Sequence, residues 1–302
     1  MTPDRPLLGI LLMLGFCILA PVGDALAKII GQTVPLGMLL LARFAIQAVI
    51  LAPLVMATNK PWRLEGRILR LAWLRTALHI VGIGAMFTAL QYLPLADAVA
   101  IAFVMPFIML ILGHYVLGEE IGIRRILACA VGFIGTLLVI QPALDSVGWP
   151  ALLPLVVAVV FSFFMLVTRK IAKETDPIAL QAVNGFMAVT ILAPILLVFS
   201  ASEISLFELK QPTTGEFFML VIIGIVGTFA HLLMTWSLRF APSATLAPMQ
   251  YLEIPFATFI GWLVFSELPN TLASIGIAIT ISAGLYIVIR ERAMSRIAPQ
   301  VP

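Results

Sequence analysis

The stretch YLEIPFATFIGWLVFSE, residues 251–267, is apolar almost throughout, yet it carries Glu253 three residues in, Pro255 just behind it and Glu267 at its close. A carboxylate inside such a run costs on the order of a few kcal/mol unless it is paired, protonated or hydrated, so it is a functional candidate by default. Pro255 has no backbone N–H to give. A helix running through it leaves a carbonyl one turn earlier without its donor, which opens the backbone and lets polar atoms face a cavity. Gln250 and Tyr251 precede the acid, and Tyr251 offers a ring for stacking and a hydroxyl for hydrogen bonding. This pattern suits a site that binds a polar solute or exchanges a proton. The competing reading pairs Glu253 with a neighbouring helix, for instance through His231.

Other ionisable side chains sit in equally apolar surroundings. Asp24 and Lys28 are four residues apart and share one helix face. Arg43 stands alone within LLLARFAIQ, and Asp97 within LPLADA. These four admit two readings: an outer gate or anchor for a charged solute, or an ion-pair network tying helices together. Lys28 could also extend to the membrane surface along its aliphatic stem. His79 and His231 titrate near neutrality and could relay protons, or serve as hydrogen-bonded packing residues. Trp236, Tyr92, Phe103 and Phe107 are candidates for an aromatic wall. The glycine clusters VGIGA (81–85) and IGIVG (223–227) allow helices to approach closely. Cys17 and Cys129 lie in apolar runs and read as packing residues.

The elements that must position these groups follow from composition. Of 302 residues, 62% are hydrophobic and 11% charged, and the mean hydropathy is +1.11. A water-soluble fold of this size cannot hide that much apolar surface, so lipid is the solvent for most of it. Ten segments reach the length needed to span a bilayer: 7–30, 34–57, 71–92, 94–117, 124–141, 149–171, 177–199, 215–240, 242–265 and 271–290. None alternates with period two, which argues against a transmembrane barrel. The N-terminal run has no small-residue cleavage site and reads as an uncleaved first span. The net charge of +3 reflects topology, not nucleic-acid binding. Fourteen of the 18 Lys and Arg residues fall on one side of the alternating connections, and only Lys210 falls clearly on the other. The positive-inside rule then puts both termini in the cytoplasm.

The chain repeats itself at an offset of 148 residues. LQYLPLADAVAIAFVMPFIMLILGHYVLGE (90–119) aligns with LRFAPSATLAPMQYLEIPFATFIGWLVFSE (238–267), matching Leu90 to Leu238, Pro94 to Pro242, Gly113 to Gly261 and Glu119 to Glu267. The mid-span prolines, Pro106 and Pro255, fall one position apart. The chain divides into a first repeat at 1–142 and a second at 143–302. Five spans per repeat is an odd number, so the second copy enters the membrane upside down. Inverted repeats of this kind are characteristic of secondary transporters.

The ALQYLPLADA pattern, the mid-span proline, LGEEIGIRR, GFIGTLLVIQP and LEIPFATFIGWLVFSE together resemble the EamA-type drug/metabolite transporters. The resemblance covers nearly the whole chain. It implies an all-α bundle of ten transmembrane helices in two inverted five-helix repeats. Spans one to four and six to nine should surround a central cavity, with spans five and ten outside. It departs from the family where Ile254 separates Glu253 from Pro255. Within the family, MLGFCILAPVGDALAK and LPLADA look most like the branch that includes bacterial riboflavin importers and S-adenosylmethionine carriers. The implied function is alternating-access transport of a small organic metabolite across the bacterial inner membrane, such as riboflavin or a similar heterocycle. Amino-acid and drug transport, and a homodimeric assembly, stay open. An intramembrane enzyme is the alternative of another class, but the candidate residues are scattered across both halves and do not cluster at one interface. No Walker motif, metal-ligand cluster or cofactor fingerprint is present, so neither a cofactor nor ATP-driven pumping is expected.

Overall fold

The computed structural model describes residues 5–118, 122–200 and 204–297. Glu119, the counterpart of Glu267 in the sequence repeat, lies outside them. The helices run α1 (Pro6–Ile30), α2 (Leu36–Ala57), α3 (Gly66–Ala89), α4 (Leu95–Ala102), α5 (Met105–Leu117), α6 (Ile123–Val147), α7 (Leu153–Ala172), α8 (Pro177–Phe199), α9 (Thr214–Phe240), α10 (Ser243–Leu246), α11 (Glu253–Phe265) and α12 (Thr271–Ile297). Among the described residues there is no strand. Eight stretches are long and apolar enough to cross a bilayer, and two shorter apolar helices, Met249–Phe265 and Thr271–Tyr286, bring the total to ten. The chain is thus an all-α multi-pass membrane protein.

Two spans are broken. The fourth is split into α4 and α5 at Phe103, with Pro106 in the first turn of α5. The ninth consists of α10, a 3₁₀ segment at Ala247–Leu252, and α11. The break therefore lies ahead of Glu253, not at Pro255 as the sequence suggests. Glu253 is the first residue of α11, and Pro255 falls in the first turn, where a helix has no use for the N–H that proline lacks.

The two halves close their broken spans alike. α4 and α10 both start after a proline in the same extended conformation, Pro94 at φ −55°, ψ 146° and Pro242 at φ −59°, ψ 147°. α5 and α11 both end on a left-handed residue, Gly118 at φ 67° and Ser266 at φ 56°. Each of these pairs is 148 residues apart. Helix packing shows the same relation. α1 lies along α9 as α7 lies along α3, while α2 packs on α8, α6 on α12 and α4 on α11. Thr280 even donates its hydroxyl to the carbonyl of Gly132, its own counterpart 148 residues earlier, at 3.2 Å.

The bundle has two distinct ends. At the N-terminal end of α1, Lys60 pairs with Asp176 at 2.8 Å and Arg67 with Glu174 at 3.1 Å. There Arg169 donates to the Leu238 carbonyl and Arg239 to that of Thr175. At the opposite end, Lys28 from α1 pairs with Glu267 behind α11 at 2.7 Å.

Candidate functional site

A narrow cavity lies between the two halves. Its walls come from α1, α2, α3, α4, the α4–α5 break, the start of α5, α7, α9 and α11, and among the described residues neither α6 nor α12 contributes. The lining residues on α2, α3 and α4 fall toward the end that holds Lys28. The surface is largely apolar, with the rings of Phe16, Phe87, Phe103 and Phe161, and it carries four ionisable groups: Asp24, Arg43, His231 and Glu253. An apolar pocket with a few convergent polar groups is the usual form of a small-molecule site.

Arg43 is the hub of that polar set. Its guanidinium is 1% exposed. It donates to Gln47 Oε1 at 3.3 Å and to the Gly227 carbonyl at 3.3 Å, and lies 2.9 Å from His231 Nδ1. Glycine at 227 eases this approach, since a Cβ there would sit 3.0 Å from Arg43 Nε. The IGIVG cluster thus serves to admit a side chain as well as to pack helices. Asp24 attracts Arg43 electrostatically from α1, while Asp24 and Glu253 repel one another across the cavity. No hydrogen bond from a described residue reaches either carboxylate, so both are turned toward the space itself.

Beneath Arg43 the interior is polar. His79 Nδ1 lies 2.9 Å from Asn184 Oδ1, which also accepts from Gln47 Nε2 at 3.3 Å. The Asn184 amide nitrogen donates to Thr76 at 2.8 Å. Asn184 Oδ1 can only accept, so His79 donates from Nδ1 and its neutral ring keeps Nε2 as an acceptor. His231 Nδ1 lies against both the Arg43 guanidinium, at 2.9 Å, and the Gly227 carbonyl, at 3.0 Å. The two imidazoles face one another with centroids 4.4 Å apart. One turn further, fully buried Arg75 donates to Thr168, Gln181 and Thr235 at 2.8, 2.8 and 3.3 Å and lies over the Phe164 ring.

The residues singled out in the sequence therefore separate into groups. Asp24, Arg43, His231 and Glu253 meet in the cavity, with His79 just below. His231 partners Arg43, not Glu253. Lys28 and Asp97 do not join Arg43 in one network with Asp24. They belong to a clasp at the far end, where Lys28 also donates to the Leu93 carbonyl at 2.9 Å and Glu267 accepts from the Leu95 backbone at 3.3 Å. Asp97 sits within the electrostatic reach of both. Tyr92 is half exposed at the surface. Trp236 packs in a side cluster with Leu51, Val55 and Ile178, and Phe107 stacks on Phe133. Gln250 is buried against the Met165 sulfur, and Tyr251 is wedged between Gly132 of α6 and Gly284 of α12. Of the expected aromatic wall, only Phe103 reaches the cavity. Arg75 is absent from the sequence-based set because it falls close to the cationic start of its span and reads as a flank. Its partners Thr168, Gln181 and Thr235 carry no charge to mark them.

A bundle of paired helices related by an inverted repeat, broken mid-membrane around a charged cavity, is the architecture of a membrane transporter. The model of the EamA-like transporter family matches the chain twice, at residues 7–141 and 148–290, and the chain belongs to that family. It is similar to the riboflavin transporter of Brucella anthropi, with 28% identity covering 74% of this chain and 78% of that one. It is also similar to the S-adenosylmethionine uptake transporter of Rickettsia prowazekii, with 22% identity over 90% and 89% of the two chains. A crystal structure superposes with a TM-score of 0.69 over 95% of this chain and 98% of the other at 19% identity, which bears on the fold alone.

Proposed function

We propose that the chain is a secondary transporter that carries a small organic metabolite across the bacterial inner membrane by alternating access, its halves 1–142 and 143–302 rocking about the central cavity. The relatives named for riboflavin and S-adenosylmethionine point to a solute that joins a flat heterocycle to polar groups. The Phe-lined cavity suits the ring. In this reading Asp24, Arg43 and Glu253 engage the polar groups, and both termini lie in the cytoplasm.

The observation that carries the proposal is Glu253, a buried acid at the first turn of a helix that starts mid-membrane, facing the cavity with no hydrogen-bond partner among the described residues. Such an acid is tolerated when it holds a proton or meets a cationic or donating group of the solute. The test is uptake and counterflow in proteoliposomes, with riboflavin and S-adenosylmethionine as probes. Glu253→Gln should lower pH-gradient-driven accumulation of the transported probe by tenfold or more, while the melting temperature stays within a few degrees of the parent. If the acid carries the coupling proton, counterflow survives in that variant. Unchanged pH-driven accumulation removes Glu253 from the mechanism. Transport of neither probe removes the heterocycle reading.

A further inference from the structure

Below the cavity the polar interior is incompletely paired. Arg75 Nη1, Gln181 Nε2, His79 Nε2 and His231 Nε2 are all buried, with no hydrogen-bond partner among the described residues. The parent residues are 0%, 0%, 0% and 5% exposed. Buried polar atoms are almost always satisfied, and each orphan asks for a reason. Here four come from one region. Arg75 and His79 are one turn apart on α3. Gln181 accepts from Arg75, and Thr235, which also accepts from Arg75, is one turn beyond His231 on α9.

The charges in this region are one-sided. The Arg43 guanidinium has Asp24 to answer it. Arg75 has no acid as a partner among the described residues, and the charge it feels is the repulsion of Arg43. A purely structural polar core would bring a carboxylate or use up its donors on carbonyls. This one leaves two N–H donors, Arg75 Nη1 and Gln181 Nε2, beside the Nε2 atoms of two imidazoles. The region separates the cavity from the end that is closed by the Lys60–Asp176 and Arg67–Glu174 pairs, so it lies where a solute leaving the cavity toward that end must pass.

We infer that Arg75, Gln181, His79 and His231 form an anion-accepting subsite, shut in this conformation, that receives the carboxylate or carbonyl-rich end of the solute when the bundle opens toward the N-terminal end of α1. The inference rests on the transport reading above and adds a second station of opposite preference to the acid-bearing cavity. Cavity acids hold the donating or cationic side of a solute, and Arg75 then takes its electron-rich side.

Charged thiol reagents test this without knowledge of the solute. In a Cys17→Ser, Cys129→Ser background, one cysteine replaces Thr235 in the subsite or Leu19 in the cavity wall. Each protein, in membrane vesicles, is treated with an anionic sulfonatoethyl and a cationic trimethylammonioethyl methanethiosulfonate. The anionic-to-cationic rate ratio at Thr235→Cys should exceed that at Leu19→Cys on the order of tenfold, as a nearby guanidinium requires. Arg75→Gln should erase the difference and Arg75→Lys should preserve it. If Arg75→Gln does not fold, the parent ratio and the Lys variant decide the matter. Equal ratios at the two positions overturn the subsite, as does labelling at Leu19→Cys with none at Thr235→Cys. Absence of labelling at both positions overturns the translocation pathway itself and the subsite with it.

Discussion

Arg43 shows how a single charge can be held at membrane depth. Three polar groups from two helices, Gln47 Oε1 of α2 and the Gly227 carbonyl and His231 Nδ1 of α9, surround its guanidinium, and Asp24 supplies the opposing charge. Removing one member of such a set leaves the others buried and uncompensated, which costs on the order of 3–5 kcal/mol. Arg43→Ala should accordingly lower the melting temperature and the yield of folded protein. Adding Asp24→Asn to that variant should recover part of the loss, because the stranded acid is then neutral. A double variant no more stable than Arg43→Ala alone would show that the two groups do not act as a pair. Arg43 and Asp24 could be found in the sequence because a lone charge in an apolar run is conspicuous. Their contacts could not. Gly227 and His231 are about 185 residues away, and no local spacing encodes them. Lys28 illustrates the same limit: its i, i+4 neighbour Asp24 suggests an intrahelical pair, yet its partner is Glu267, 239 residues on.

At the scale of elements, lipid made most of the fold readable, since a bilayer demands long apolar helices and little else. Ten spans and the turned-over repeat follow from hydropathy, proline punctuation and the 148-residue offset. Helix starts were less legible. α3 begins at Gly66, five residues before its apolar window, because its first turns bear Arg67 and Arg70 outside the core. That shift moves Arg75 from a flank to the third turn of a buried helix. The break in the ninth span was similarly misplaced by about one turn, because Pro255 reads as the cause of an opening when it is the start of the next helix. Helix–helix contacts also turn on features that composition hides. α6 and α12 touch through Gly135 and Gly276, and a Cβ at Gly135 would stand 2.6 Å from the Gly276 carbonyl oxygen. Gly135→Ala should therefore force the two helices apart and destabilise the protein by about 1–3 kcal/mol. Neither helix lines the cavity, so transport per folded molecule should change little. Thermal unfolding combined with activity normalised to folded protein checks this, and a selective loss of transport with an unaltered melting temperature would place the α6–α12 contact in the transport cycle.

For the molecule as a whole, orientation decides which way each conformation faces. The end closed by Lys60–Asp176 and Arg67–Glu174 also gathers Arg5, Arg63, Arg70, Arg124, Arg169, Lys170, Lys173 and Arg239. Positive charge of this density is retained on the cytoplasmic side during insertion. The cavity walls lie toward the other end, so in the proposed orientation this conformation is closed to the cytoplasm and holds its proposed solute site on the outer half. Exposed positions at the two ends make the orientation measurable. Asp145 lies in the last turn of α6 and Glu208 lies in the α8–α9 connection, whose Lys210 reaches the α1–α2 turn at Thr33. Glu65 precedes α3 and Glu174 precedes α8. In the cysteine-free background, Asp145→Cys and Glu208→Cys should react with a membrane-impermeant maleimide on intact cells, whereas Glu65→Cys and Glu174→Cys should react only after permeabilisation. The reverse pattern would invert the assignment, making this conformation open to the cytoplasm and moving the Arg75 subsite to the outer half. Partial labelling at all four positions would mean that the chain inserts in both orientations, and the charge asymmetry would then have failed to fix its topology.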